Sequence, residues 1–364
     1  MIPITRPDLG DEEERAIARV LRSGWIMQGP EVAAFEADFT AAVGAPHAVA
    51  VANGTVAIEL ALRLAGVRPG DEVITVSHSF PATANAVVAV GAIPVFVDVE
   101  EATFGMDPAA VQAARTPRTR AILCVHQIGF PCDIEGILTA AEHLPVIEDA
   151  ACALGSEIRL GGRWERIGRP HGGIATFSFH PRKVVTTGDG GMLTFSDGAL
   201  AARARLLRNH AMAGERFLEP AFNFRLTDLQ AAIGRVQLHR LDAILAERRR
   251  LAARFAAALD GHPLLAPHHP RDDARPNWQS FPTHLRAGVS QDDVRARLER
   301  AGVATRRGVS NAHQEPAYPG RPPLPVSERL RDRTILLPLF HGMTPAEEAT
   351  LVAALADLQY MKAP

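Results

Sequence analysis

The sequence predicts an α/β fold: a large domain with a mostly parallel, seven-stranded sheet flanked by helices, followed by a smaller C-terminal α+β domain. Two observations carry this reading. Between about residues 48 and 195, short β-rich runs alternate with helical ones, and the β-rich runs are apolar throughout, as strands covered on both faces are. After residue 260 comes a stretch rich in proline and charge, GHPLLAPHHPRDDARPNWQS, and beyond it the pattern changes to one strand and two amphipathic helices.

Taken in order, AVAVAN is a strand, TVAIELALRLAGV a helix, DEVITV a strand and TANAVVAVG a helix. IPVFVDV and AILCVH are strands separated by the helical PAAVQAAR. DIEGILTAAEH is a helix, and LPVIEDA, IATFSFH and GMLTF complete seven strands. Residues 197 to 210 read as a helix and 226 to 258 as one long amphipathic helix, with Arg248 to Arg250 on its solvated face. In the last part, FPTHLR is a strand, while SQDDVRARLERAG and TPAEEATLVAALADL are helices. The expected division is 1–245 for the large domain and 246–364 for the small one.

A chain of 364 residues has room for such a core, and 47% hydrophobic residues with 22% charged ones suit a soluble globular protein. A formal net charge of -2 favours neither nucleic acid nor an anionic membrane as partner. No basic, then apolar leader opens the sequence and no apolar run approaches the roughly 20 residues that cross a bilayer, so the expected location is cytoplasmic. Cys124, Cys132 and Cys152 are too few for a disulfide framework. With His126 they lack the paired spacing of structural zinc, so buried reduced thiols and no metal are expected.

Chemistry concentrates at three strand ends. In VANGTVAIEL a strand stops at Asn53, Gly54 permits a tight turn and a helix starts at Thr55, so free N–H groups, a hydroxyl and the positive helix end converge on a point that suits a phosphate. In LPVIEDAACALGS a strand runs into Glu148 and Asp149, among small residues that leave room for a flat ligand. In FSFHPRKVVTTGDGGM a lone Lys183 follows a strand and precedes threonines and glycines that cannot continue as a helix. A phosphate cup, a carboxylate and a lysine on one sheet are the three anchors that pyridoxal 5'-phosphate needs. The lysine forms the Schiff base, the carboxylate keeps the ring nitrogen protonated, and the cup holds the phosphate.

These motifs, together with RPDLGDEEE, SGWIMQGPEVAAFE, GDEVITVSHSFPATANAV, LRNH and FNFRLTDLQAAIG, make the chain resemble the DegT/DnrJ/EryC1/StrS sugar aminotransferases, which have the type I fold of pyridoxal-phosphate enzymes. The resemblance runs over nearly the whole chain. By position it implies Lys183 as the cofactor-linked amine and Asp149 as the partner of the ring nitrogen. It implies Gly54, Thr55 and Ser178 at the phosphate, and Phe80 stacked on the ring. Asn223 matches a residue that reaches the phosphate of the neighbouring subunit, which implies a homodimer with shared active sites, and His313 falls where the family often brings a histidine towards substrate. Cys152 stands where many members carry Gln or His facing the cofactor's phenolic oxygen, and a thiol is a poorer donor there.

The implied reaction moves an amino group from glutamate or glutamine to a keto group of a nucleotide-linked keto-deoxy sugar, by ping-pong kinetics. A keto-cyclitol is an alternative acceptor, and Arg306 and Arg307 are candidates to meet a diphosphate. A dehydratase or lyase on the same scaffold and a non-enzymatic cofactor-binding regulator are the competing readings. Lys183 speaks against the dehydratases of the family, which carry histidine in its place. A nicotinamide-dependent oxidoreductase is set aside because no G-x-G-x-x-G opens the first strand-helix turn.

Overall fold

Seven strands form one sheet in the computed structural model, which describes residues 1–360. They are β1 (His47–Val51), β2 (Glu72–Val76), β3 (Ile93–Val97), β4 (Thr119–Val125), β5 (Val146–Asp149), β8 (Gly173–Ser178) and β9 (Gly191–Phe195), with β6 (Glu157–Leu160) and β7 (Arg163–Arg166) forming a hairpin between β5 and β8. Their order is β1-β9-β8-β5-β4-β2-β3, and β9 alone runs antiparallel to its neighbours. The expected sheet is therefore present as a mixed one with six strands pointing the same way, so their carboxyl ends share one edge.

Alternation along each strand sorts its side chains between two cores. Ala48, Ala50, Ile74, Val76, Ile122 and Phe177 pack on one face, and Val49, Val51, Val73, Leu123, Ile147 and Leu193 on the other. Helices cover both faces. They are α1 (Asp11–Ser23), α2 (Pro30–Val43), α3 (Gly54–Leu64), α4 (Ala82–Ala89), α5 (Pro108–Ala114), α6 (Ile134–Ala141) and α7 (Gly198–Leu207). Their starts follow local chemistry: Asn53, Asp107, Asp133 and Asp197 each cap the helix that follows by accepting a backbone N–H.

A short hairpin of β10 (Met212–Ala213) and β11 (Arg216–Phe217) precedes the helical stretch expected at 226–258. That stretch is two helices, α8 (Asp228–His239) and α9 (Leu241–Ala258), because the chain turns at Arg240, where φ is -90° and ψ 0°. Leu241, Ile244 and Leu245 of α9 pack in the large core, whereas Leu251, Ala252 and Phe255 pack in a second one. The arginine run of α9 also differs from expectation. Arg248 is buried, donating to the carbonyls of Trp278 and Leu339, while Arg249 and Arg250 pair with Glu157 and Glu348.

The second core lies under an antiparallel sheet of β12 (Leu265–Pro267), β14 (Phe281–Leu285), β15 (Arg306–Arg307) and β16 (Thr334–Leu337), while β13 (Ala274–Arg275) joins the hairpin of β6 and β7. The helices α10 (Gln291–Arg300), α11 (Pro325–Arg333) and α12 (Pro345–Leu358) complete the chain's elements. Sequence patterning finds β14, α10 and α12 and passes over β12, β15, β16 and α11, which are short or lack a clear period. Ile2 joins this core by bridging to Val303, so the N-terminal segment closes against the C-terminal unit. No described helix is long and apolar enough to cross a membrane.

Candidate active site

The carboxyl end of β5 brings two carboxylates to the sheet edge, and the structure treats them differently. Glu148 is buried and accepts hydrogen bonds from the backbone N–H groups of His171 at 2.6 Å and Gly172 at 2.9 Å, with His126 Nε2 at 3.2 Å. Burial alone would raise its pKa, but hydrogen bonds from His126 and His171 hold it at about 2. Asp149 is also buried, accepting from Thr83 Oγ1 at 2.9 Å and from the Ala151 N–H at 3.1 Å. Burial pushes its pKa above the usual carboxylate value, against those hydrogen bonds and the positive charge of Lys183.

At the end of β1 the chain enters α3. Asn53 Oδ1 accepts the Val56 N–H at 2.9 Å, which leaves the N–H groups of Gly54 and Thr55 as first-turn donors without intrahelical acceptors. Two glycines make this turn possible by close approach. A Cβ on Gly54 would lie 2.7 Å from Ser178 Cβ, and one on Gly191 would lie 2.4 Å from the Asn53 carbonyl oxygen. The helix end and the Ser178 hydroxyl at the end of β8 therefore form a single cradle, and its N–H and O–H donors suit an anion.

Lys183 follows β8 in a tight turn closed by its own N–H to the His180 carbonyl at 2.8 Å and by the Thr187 N–H to the Phe179 carbonyl at 3.0 Å. Its Nζ donates to Cys152 Sγ at 3.1 Å, so Cys152, expected as a buried thiol, is half-buried against the lysine instead. Cys124 and Cys132 are buried and free, and no metal-holding group of three His, Cys, Asp or Glu side chains occurs among the described residues.

Phe80 stands just before α4, where its carbonyl accepts the Thr83 N–H at 3.2 Å. Its side chain is 72% exposed, unusual for a large aromatic on a segment whose neighbours Ser77, His78 and Ser79 are all buried. That segment is clasped by the C-terminal unit: His78 Nδ1 lies 2.8 Å from Asn311 Oδ1, and Ser310 Oγ donates to the Ser79 carbonyl. His313 belongs to this clasp. Its Nδ1 lies 2.6 Å from Ser77 Oγ and its Nε2 2.9 Å from Glu328 Oε1, so both ring nitrogens are engaged by the protein.

Asn223 stands apart. It is exposed, bridges Asn209 through the backbone, and its Oδ1 accepts the Arg225 N–H at 3.3 Å; it makes no hydrogen bond to the cradle of its own chain. Arg306 and Arg307 point to opposite sides of β15, and Arg307 pairs with Asp292 at 2.8 Å. Sequence reasoning missed Thr83, which lies three residues after Phe80 and links α4 to Asp149. It also missed the role of His126 and His171 in holding Glu148. A buried carboxylate needs donors, and that need was the available signal.

The fold is that of pyridoxal-phosphate-dependent aminotransferases. The model of the DegT/DnrJ/EryC1/StrS aminotransferase family matches residues 7–356, and the chain belongs to that family. Among solved structures it is similar to DesV of S. venezuelae, solved in complex with a ketimine intermediate, at 35% identity and a TM-score of 0.91, with 99% of each chain covered. The sugar aminotransferase CalS13 of Micromonospora echinospora is 30% identical with a TM-score of 0.90, covering 98% of this chain and 100% of the other. Spr1654 of Streptococcus pneumoniae, solved in a PLP form, is 26% identical with a TM-score of 0.91 over 98% of each chain.

Proposed function

We propose that this chain uses pyridoxal 5'-phosphate to move an amino group from glutamate or glutamine to the keto group of a nucleotide-linked keto-deoxy sugar, and that it works as a homodimer. The observation that carries this is the convergence of Lys183, Asp149 and the Gly54, Thr55 and Ser178 cradle at the carboxyl ends of β1, β5 and β8. These residues fit the cofactor. The cradle accepts a phosphate, exposed Phe80 offers a ring face, and buried Asp149 offers an acceptor to a ring N–H.

When bound, the cofactor supplies a sink for the electrons of a broken C–H bond. The protein's own residues do the rest. Asp149, held in place by Thr83 and Ala151, keeps a proton at the ring nitrogen, and burial strengthens that pairing. Lys183 would be the base at Nζ, taking the proton from the donor's α-carbon and holding it for return on the far side of the amino nitrogen. Donor and acceptor take turns at the same lysine, so the kinetics alternate between them. The dimer reading is supported by exposed Asn223 and by the exposed large apolar side chains Trp25, Ile26, Met27, Phe217 and Phe222. We also take the middle of α9 as the boundary between two domains, since its two halves serve different cores.

The test is the absorbance of the purified holoenzyme before and after adding glutamate or glutamine, beside Lys183→Ala. The wild type should pass from the pyridoxal to the pyridoxamine absorbance with a donor, and Lys183→Ala should do so neither with glutamate nor with glutamine. Turnover by the variant would remove Lys183 from the chemistry.

A further inference from the structure

The segment between β13 and β14 reaches both sides of Lys183 through two amide side chains. Asn277 is buried, and its Nδ2 donates to the carbonyls of Cys152 and Leu154, each at 2.9 Å. Its Oδ1 accepts the Gln279 N–H at 2.8 Å, so both ends of the amide are engaged. Its own N–H donates to Ser156 Oγ at 3.0 Å, and Ser156 Oγ donates to the Gly129 carbonyl at 2.7 Å. Gly129 leaves room for this: a Cβ there would lie 2.1 Å from Asn277 Oδ1. Among the described residues no other hydrogen bond reaches the Cys152 and Leu154 carbonyls, so the turn after Asp149 takes its shape from Asn277.

That turn faces the lysine, since Cys152 Sγ accepts Lys183 Nζ at 3.1 Å. Gln279 Nε2 in turn donates to the Arg182 carbonyl at 3.0 Å. One amide therefore holds the turn that meets the amine, and the other holds the loop that carries it. Trp278 stands between them with a φ of 53°, a region that a bulky residue keeps only where its surroundings hold it. Arg248 of α9 donates to the Trp278 carbonyl at 2.8 Å, and the indole packs on Phe130 and Phe281 with ring centroids 5.3 and 5.6 Å away. The bracket is thus anchored in the helix whose halves serve the two cores.

We infer that Asn277 and Gln279 are positioning residues for the Lys183 amine, fixing the loop that carries it against the turn that runs from Asp149 to Cys152. Each acts through a backbone carbonyl. A base works only within hydrogen-bond reach of its proton, and a misplacement of about 1 Å can cost about 100-fold in rate. The role in the reaction rests on Lys183 as the base proposed above.

The first measurement needs no cofactor. The cofactor-free, full-length chain is treated with o-phthalaldehyde, which joins an amine and a thiol in contact into a fluorescent isoindole, losing both aldehyde oxygens as water. Lys183 is one of two lysines in the sequence, and mass spectrometry locates the bridge. Wild type should form the Cys152–Lys183 isoindole. Asn277→Ala, and Gln279→Met, which keeps the side chain's length without its donor, should each form it about tenfold more slowly. Leu355→Ala, a truncation in the second core, should lower the Tm yet keep the wild-type rate. In the holoenzyme, conversion from the pyridoxal to the pyridoxamine absorbance should slow about 10- to 100-fold in Asn277→Ala and Gln279→Met, with the half-saturating donor concentration little changed. Wild-type isoindole rates in both folded variants overturn the bracket. Slower isoindole with unchanged conversion overturns its role in the reaction, and so does an equal loss in Leu355→Ala. No isoindole in wild type overturns the contact on which the bracket rests. A wild type that forms the isoindole but responds to neither glutamate nor glutamine overturns the donor reading itself, and the isoindole rates then decide the bracket alone.

Discussion

Replacing Glu148 with glutamine removes one charge from a fully buried site while nearly keeping its shape. The folded-state pKa is about 2 against an ordinary 4.5, with burial opposed by the hydrogen bonds of His126 and His171. A lowered carboxylate pKa stabilises the fold above the unfolded value and loses that contribution as pH falls from 4.5 towards 2. The difference amounts to about 3 kcal/mol at pH 7, falling to about 2 kcal/mol at pH 3.5. Urea unfolding of the cofactor-free protein at both pH values, with wild type and Glu148→Gln side by side, measures it. The variant should be weaker by that amount at pH 7, and the gap should narrow on acidification. Equal stability at pH 7, or a gap that does not narrow, would show that the three donors around Glu148 do not hold a charge.

Two further outcomes follow from buried or half-buried groups elsewhere. His268 Nδ1 lies 2.8 Å from His284 Nε2 and its Nε2 donates to the Ala102 carbonyl; burial first and the His284 charge second lower its pKa to about 3. A histidine kept neutral in the fold binds its proton only on unfolding, so stability falls as pH drops below 6.5, by about 2 kcal/mol at pH 5. His268→Gln should show a pH 7 to pH 5 loss in urea smaller by that amount, and identical losses would exclude the histidine. Cys152 is half-buried while Cys124 and Cys132 are buried, so brief iodoacetamide treatment of the native, cofactor-free protein should add one adduct, at Cys152. Mass spectrometry of tryptic peptides reads it; bound cofactor should slow the reaction, and labelling spread over all three thiols would contradict the burial.

Much of the fold is legible because its strands are continuous apolar runs, and the chemistry stands where those runs end: Asn53, Glu148 with Asp149, and Ser178 with Lys183. The break at Arg240 is not legible, since an apolar period continues across it and only the dihedral angles of one residue interrupt the helix. Nor does the sequence separate Arg306 from Arg307. Two adjacent identical residues face opposite sides of a strand two residues long, and which face each takes follows from register with β16. Arg248 reads as one of three surface arginines until the carbonyls of Trp278 and Leu339, distant in sequence, are brought to it. Such pairings arise from tertiary closure, which no local period encodes.

The two carboxylates of β5 show why position decides chemistry. Successive residues of a strand point to opposite faces, so Glu148 and Asp149 enter different surroundings although both are buried. Glu148 is surrounded by N–H donors that arrive from the turn at His171 and from His126, and its charge is satisfied by the fold. A carboxylate so saturated has little capacity left for a ligand. Asp149 receives one hydroxyl and one N–H, and burial raises its pKa where Glu148's is lowered. A partner that brings its own proton and positive charge would complete the surroundings of Asp149. A protonated ring nitrogen is such a partner, which is why the second residue of this acidic pair, and not the first, is suited to face the cofactor.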